Sequence, residues 1–172
     1  MIRDLLDANR IKAGEGIPLA IQPCQLDKVV QSTLTDLTRF HGPRFELRNQ
    51  SGTVQGFWDC AGLTRVIENL AVNAVKYGHT NTSIILRLEQ DAQGAELSVH
   101  NHGPAIPPED LKTLFDPYRR TVSAMNGGQK GWGIGLTLVK GITDAHRGTV
   151  HVESSLENGT TFRVRLPRDS RS

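Results

Sequence analysis

The stretch Glu68-Asn69-Leu70-Ala71-Val72-Asn73-Ala74-Val75-Lys76-Tyr77 carries its polar groups at helical spacing. Asn69 and Asn73 stand four residues apart, so a helix presents them on one face. Lys76 and Tyr77 follow three and four residues after Asn73, close to the same face. A carboxamide oxygen can bind a hard cation such as Mg²⁺, and a lysine can hold phosphate. Taken alone, the stripe reads equally well as a solvated helix face.

Two further constellations lie downstream. In Val99-His100-Asn101-His102-Gly103-Pro104-Ala105-Ile106-Pro107 a strand ends in a sharp turn, and Asn101 sits where a strand-end side chain can face a pocket. His100 and His102 share a strand face, but a third metal ligand is missing from the pattern. Gly127-Gly128-Gln129-Lys130-Gly131-Trp132-Gly133-Ile134-Gly135-Leu136 runs into a helix. Glycines permit close backbone approach, and a helix start offers N–H groups to an anion. The segment is no P-loop, because Gly-Lys-Ser/Thr is absent, and no strand leads directly into it as a dinucleotide fingerprint requires.

These groups need elements to position them. Residues 1–13 read as a short helix stopped by Gly14 and Gly16, and residues 18–21 as extended. Leu26, Val29, Val30, Leu34 and Leu37 mark a helix over residues 25–40. Residues 45–47 and 54–57 alternate around Gln50-Ser51-Gly52, which predicts a hairpin. Asp59 is the expected N-cap of a helix running to Tyr77 and ended by Gly78. Residues 83–90 and 95–100 form strands around the turn 91–94, and Pro107-Pro108 opens a short helix. Residues 119–132 read as a mobile loop, residues 133–146 as a helix, and residues 149–153 and 161–166 as a hairpin through Glu157-Asn158-Gly159. The tail, 168–172, is polar and expected to fray. The order implies an α/β two-layer sandwich: a mixed, mostly antiparallel sheet with helices on one face.

With 172 residues the chain suits one domain, or one domain plus a short attached element. Its formal net charge of +2 is spread along the chain, which argues against nucleic-acid binding. No apolar run approaches a membrane span, and the charged N-terminus lacks a signal-peptide core. Cys24 and Cys60 sit in no Cys-x-x-Cys or Cys/His spacing and are expected as free thiols in a reducing compartment.

The joint order of these segments resembles the catalytic, ATP-binding domain of sensor histidine kinases, within the GHKL group. Residues 69–77 look like its N box, 99–107 its G1 box, 114–120 (Leu-Phe-Asp-Pro-Tyr-Arg-Arg) its F box and 131–136 its G2 box. Gly159-Thr160-Thr161-Phe162 looks like its closing hairpin, and the likeness runs from about residue 1 to 167. The resemblance implies that Asn73, helped by Asn69, holds Mg²⁺ against the triphosphate, with Lys76 and Tyr77 beside the phosphates. It implies that Arg119 or Arg120 reaches the γ-phosphate. Gly131, Gly133 and Gly135 would give a lid its hinge and backbone donors, with Lys130, Trp132, Ile134 and Leu136 completing the nucleotide-contacting set. Asn101 would meet the adenine amino group, Gly103, Ala105 and Ile106 would shape the adenine pocket, and Thr161 would lie nearby.

Two positions depart from the family pattern, which carries aspartate where Asn101 stands and glycine where Ala105 stands. An amide oxygen can accept from the adenine amino group without the charge, and bacteriophytochrome-like kinases look similar in this respect. ATP-hydrolysing relatives such as gyrases place a general-base glutamate where Asn69 stands. Glu68 is adjacent, but a helix turns it about 100° away. Asparagine cannot take a proton from water, so ATP is expected to be protected from hydrolysis.

The likeness further implies a phosphoacceptor histidine on a dimerising helical hairpin. Residues 1–14 resemble the end of that hairpin, 15–167 the catalytic domain and 168–172 a flexible tail. His41, His79, His100, His102, His146 and His151 lack the acceptor pattern and are expected at the surface or in loops. The expected partners are that hairpin and a cognate response regulator, in the cytoplasm, with a monomeric fragment and a homodimeric parent. The alternative is a degenerate ATP-binding domain that signals by conformation without phosphoryl transfer.

Overall fold

A computed structural model describes residues 2–116 and 134–171, with the backbone alone at 2–4 and 134. Chain order is α1 (Ile2–Lys12), β1 (Gln22–Gln25), α2 (Leu26–His41), β2 (Phe45–Asn49), β3 (Gln55–Trp58), α3 (Cys60–Tyr77), β4 (Ile84–Gln90), β5 (Gly94–Asn101), α4 (Pro108–Leu111), α5 (Ile134–Ala145), β6 (Thr149–Ser155) and β7 (Gly159–Pro167). Five strands form one sheet in the order β2-β4-β5-β7-β6. The β2–β4 pair is parallel and the others antiparallel. The expected sandwich is therefore present, with helices covering one face.

Alternation decides which face that is. Ile84, Leu86 and Leu88 of β4 are buried against the helices while Arg87 and Glu89 are exposed. Phe162, Val164 and Leu166 continue this inner face on β7. Across it lie Leu63, Val66, Ile67, Leu70, Ala71 and Ala74 of α3, at the helical spacing that makes one apolar stripe. Burying each leucine or isoleucine contributes about 1.5–3 kcal/mol, so this layer holds α3 firmly while its opposite side stays polar. On the outer face Arg163 bonds Glu153 at 2.9 Å, and Arg165 meets Asp91 at 2.6 Å. That guanidinium, with backbone N–H groups of Gln93 and Gly94, holds the Asp91 carboxyl below the usual carboxylate range.

Four expectations are corrected. Residues 45–57 make no hairpin: β2 pairs in parallel with β4, and β3 pairs antiparallel with β1. The turn between them is closed locally, Asn49 Nδ2 donating to Gly52 O and Ser51 N–H to Asn49 Oδ1, and Gln90 Nε2 donates to the carbonyls of Ser51 and Thr53. Cys24 and Cys60 are not free thiols but a disulfide. The β1–β3 pairing sets Cys24 opposite Gly56, bringing its Cα within 5.9 Å of that of Cys60 at the start of α3.

Residues 168–171 do not fray. Phe57 N–H donates to Arg168 O and Ser170 N–H to Phe57 O, Arg171 lies over the Phe57 ring, and Ser170 is buried. His146, finally, is fully buried rather than superficial. Its Nδ1 donates to Ile142 O at 2.8 Å, and its Nε2 accepts from Asp59 N–H at 3.0 Å.

Candidate functional site

The polar stripe of α3 is real, and its members differ in constraint. Asp59 caps the helix by accepting from Gly62 N–H at 3.1 Å. One turn before the stripe, Arg65 meets Asp7 of α1 at 2.8 Å in a largely enclosed ion pair. Asn69 Nδ2 donates to Arg65 O at 2.7 Å, which fixes the amide and turns Oδ1 away from its own helix. That oxygen faces the first turn of α5, where a Cβ on Gly135 would sit 2.8 Å from it. Glycine at 135 is thus what lets α5 approach the stripe. Asn73 is half-buried, and among the described residues its carboxamide makes no hydrogen bond. Lys76 is exposed and Tyr77 half-buried, both on the last turn.

At the other end, Asn101 closes β5 with 4% of its surface exposed. A Cβ on Gly103 would stand 2.5 Å from Tyr77 O and 3.3 Å from Asn101 Nδ2, so glycine there lets the loop after β5 close onto the end of α3. The loop is also tied down. Ile106 N–H donates to Ser154 Oγ at 2.9 Å, and Ser154 Oγ pairs with Thr160 Oγ1 at 2.7 Å. Ala105 and Ile106 are half-buried beside this tie. The structure therefore brings Asn69, Asn73, Lys76, Tyr77, Asn101, Gly103, Ala105, Ile106 and Gly135 to one end of the sandwich.

Thr161 does not join them. It pairs in register with His100, and its hydroxyl bonds His100 Nδ1 at 2.9 Å on the outer face. Thr160 is the residue opposite Asn101 on the inner face, and both are buried. Sequence reasoning missed Thr160 and Ser154. Counting back by twos from the core residue Phe162 reaches Thr160, so strand parity held the signal. Leu136 is buried in the hydrophobic core. Arg119, Arg120, Lys130, Gly131, Trp132, Gly133 and the side chain of Ile134 lie outside the described residues, as does the expected loop 119–132. His100 and His102 stack edge to face at 4.9 Å. Burial, then the neighbouring positive groups His102, Arg87 and Arg163, lower the His100 pKa. Among the described residues no cluster of three His, Cys, Asp or Glu side chains can hold a metal ion.

The family described as histidine kinase-, DNA gyrase B- and HSP90-like ATPases matches residues 58–170, the span that contains α3, β5 and the closing hairpin. The chain belongs to this ATPase family. Its curated relatives include histidine-protein kinases and a sensor protein. The signal transduction histidine-protein kinase/phosphatase MprB of Mycobacterium avium (strain 104) is 31% identical over 97% of this chain and 32% of its own length. The sensor protein KdpD of Escherichia coli (strain K12) is 31% identical over 99% of this chain and 19% of its own. The chain thus spans about a third or less of these relatives. Among solved structures, the mycobacterial sensor histidine kinase MprB superposes with a TM-score of 0.72 at 27% identity, covering 86% of this chain and 97% of that one. The catalytic domain of histidine kinase ThkA shares the fold, with a TM-score of 0.75 at 24% identity over 88% of this chain and 99% of that one.

This end of the ATPase-family domain presents carboxamide oxygens and open glycine positions. Asn69 Oδ1 faces the first turn of α5, Asn73 makes no hydrogen bond among the described residues, and both carboxamide oxygens are hard donors of the kind Mg²⁺ takes. Gly103 and Gly135 leave room that side chains would fill. Among the described residues, no helix is long and apolar enough to cross a membrane.

Proposed function

We propose that this domain binds ATP with Mg²⁺ and donates the γ-phosphoryl group to a histidine on a dimerisation hairpin outside this chain, as one step of two-component signalling. The observation that carries the proposal is a pair of unengaged carboxamides on two adjoining elements. Asn73 on α3 and Asn101 at the end of β5 both lack hydrogen bonds among the described residues, and Gly103 brings their elements together. Asn101 takes the base end. Asn69 and Asn73 hold the cation end, with Lys76 and Tyr77 on the next turn toward the phosphates. When bound, the magnesium ion offsets negative charge on the phosphoryl groups.

What these residues omit matters as much. Asn69 offers no basic oxygen, and its amide is already oriented by Arg65 O. Glu68 is exposed on another face of α3. Water is therefore not activated, and the phosphoryl group is kept for a side-chain acceptor. In this proposal α1 is the end of the acceptor hairpin, resting on α5 and on Arg65 through Asp7. A cognate response regulator receives the phosphoryl group next, in the cytoplasm. The parent is a homodimer, and the isolated domain a monomer unable to label itself.

Calorimetric titration with the β,γ-imido analogue of ATP and Mg²⁺ tests the site. Binding that weakens at least about tenfold, roughly 1.4 kcal/mol, in Asn73→Ala is expected. Labelling of a separately supplied hairpin by this domain and ATP then tests transfer. Nucleotide binding without labelling would favour the degenerate, conformational reading.

A further inference from the structure

We propose that Asn101 makes the base pocket tolerant at the purine 6-position, so that the domain accepts 6-oxopurine nucleoside triphosphates as well as adenosine ones. The proposal rests on the nucleotide reading above and specifies the substrate class of that site.

The argument begins from the contrast between two carboxamides. Asn69 is locked, because its Nδ2 donates to Arg65 O. Asn101 is not. It is 4% exposed at the end of β5, on the inner face opposite Thr160, and no hydrogen bond among the described residues sets its amide. Its amide atoms are not sealed away either. The buried side-chain groups without a partner among the described residues are the hydroxyls of Thr113, Thr143 and Ser170. The Asn101 amide is not among them.

Two positions beside it carry no side chain to hold it. Gly103 lies beside the amide nitrogen, and a methyl there would press on it at 3.3 Å. Gly78 stands behind the Asn101 Cβ in the same way, at 3.3 Å from an added methyl. With glycine on both sides, rotation of the terminal amide meets no side chain at either position. No carboxylate or ammonium group is hydrogen-bonded to it to choose one orientation.

The chemistry follows from what a carboxamide can present. An adenine edge offers an amino donor at the 6-position and an acceptor at N1, while a 6-oxopurine edge offers an acceptor and then a donor. A carboxamide carries one acceptor and two donors, and turning it over exchanges their places. It therefore matches either edge. An ionised carboxylate accepts only, so it satisfies the adenine amino group and opposes a 6-oxo group. Sites built to one hydrogen-bonding pattern reject the mismatched analogue by factors of about 10⁴ or more; a carboxamide free to turn removes the mismatch.

The test compares the β,γ-imido analogues of ATP and ITP by calorimetry, each with Mg²⁺, on the unaltered domain and on Asn101→Asp. ITP is the probe because it changes the 6-position without adding the guanine 2-amino group. The expected result is affinities within roughly tenfold of each other on the unaltered domain. In Asn101→Asp, preference for the ATP analogue should widen to about a hundredfold or more. A domain that binds the ATP analogue yet rejects the ITP analogue by more than about a hundredfold overturns the proposal while leaving the nucleotide site standing. An unchanged ratio in a folded Asn101→Asp, checked by thermal melting, overturns it as well. Failure of both analogues on the unaltered domain overturns the nucleotide reading itself. The first comparison needs no variant, so it stands even where the buried carboxylate impairs folding.

Discussion

The two ends of α3 follow opposite rules. At its start, covalent and polar ties crowd together: the Cys24–Cys60 disulfide, the Asp59 cap, Ala20 N–H on Asp59 Oδ2 at 3.2 Å, and His146 Nε2 on Asp59 N–H. At its finish, Asn73, Lys76 and Tyr77 lie on the polar side of the helix, and a Cβ on Gly103 would stand 2.5 Å from Tyr77 O. One helix thus separates its fastened end from its candidate site. Substitutions at the first end are expected to change stability while nucleotide affinity holds, and substitutions at the second to do the reverse.

Removing the disulfide should break the comparison most visibly. It closes a 36-residue separation, for which the chain-entropy estimate gives about 2–4 kcal/mol. Cys24→Ala with Cys60→Ala should lower the urea midpoint accordingly, while titration of the folded variant with a nucleotide analogue stays within about twofold. A large loss of affinity would mean that the two ends communicate. Next, Gly135→Ala sets a methyl 2.8 Å from Asn69 Oδ1. Affinity should fall about tenfold, roughly 1.4 kcal/mol, with melting little changed.

His146 sharpens the contrast through pH. Burial lowers its pKa from the ordinary 6.5, opposed by the Ile142 hydrogen bond and the Asp59 charge. The neutral ring is the one that fits, because protonation puts a second N–H against the N–H of Asp59. Its contribution is therefore complete above the unfolded value and is lost as pH falls from about 6.5 toward the folded value, at up to about 1.4 kcal/mol per unit. Denaturation at pH 7.5 and 5.5 should show this slope, and His146→Gln should flatten it. Removing the cap in Asp59→Ala should cost least, about 1 kcal/mol, with no change at the cleft.

Much of this was legible. The α3 stripe, the β4–β5 and β6–β7 hairpins and the Asp59 cap rest on local spacing, and local spacing is what a sequence displays. What failed depended on distance. Gln50-Ser51-Gly52 is a genuine turn, yet the strand before it pairs with β4 and the strand after it with β1. Cys24 and Cys60 meet only because β1 and β3 do. His146 is polar by type, but its place between α5 and Asp59 buries it. Asn101 was found by motif, whereas Thr160 and Ser154 needed strand parity and cross-strand register.

The parallel pairing of β2 with β4 has a consequence for the order in which the molecule can assemble. Phe45 lies beside Ile84, so the chain between them, β3 and α3 included, is one excursion whose ends must be gathered before the pair forms. Loop closure is unfavourable until the contacts it permits are made. The helix that carries Asn69 and Asn73 lies inside that excursion, and the strand that carries Asn101 is laid on β4 from its other side. The candidate site therefore comes into being only with the completed sheet, and a partly folded chain holds its residues without assembling them.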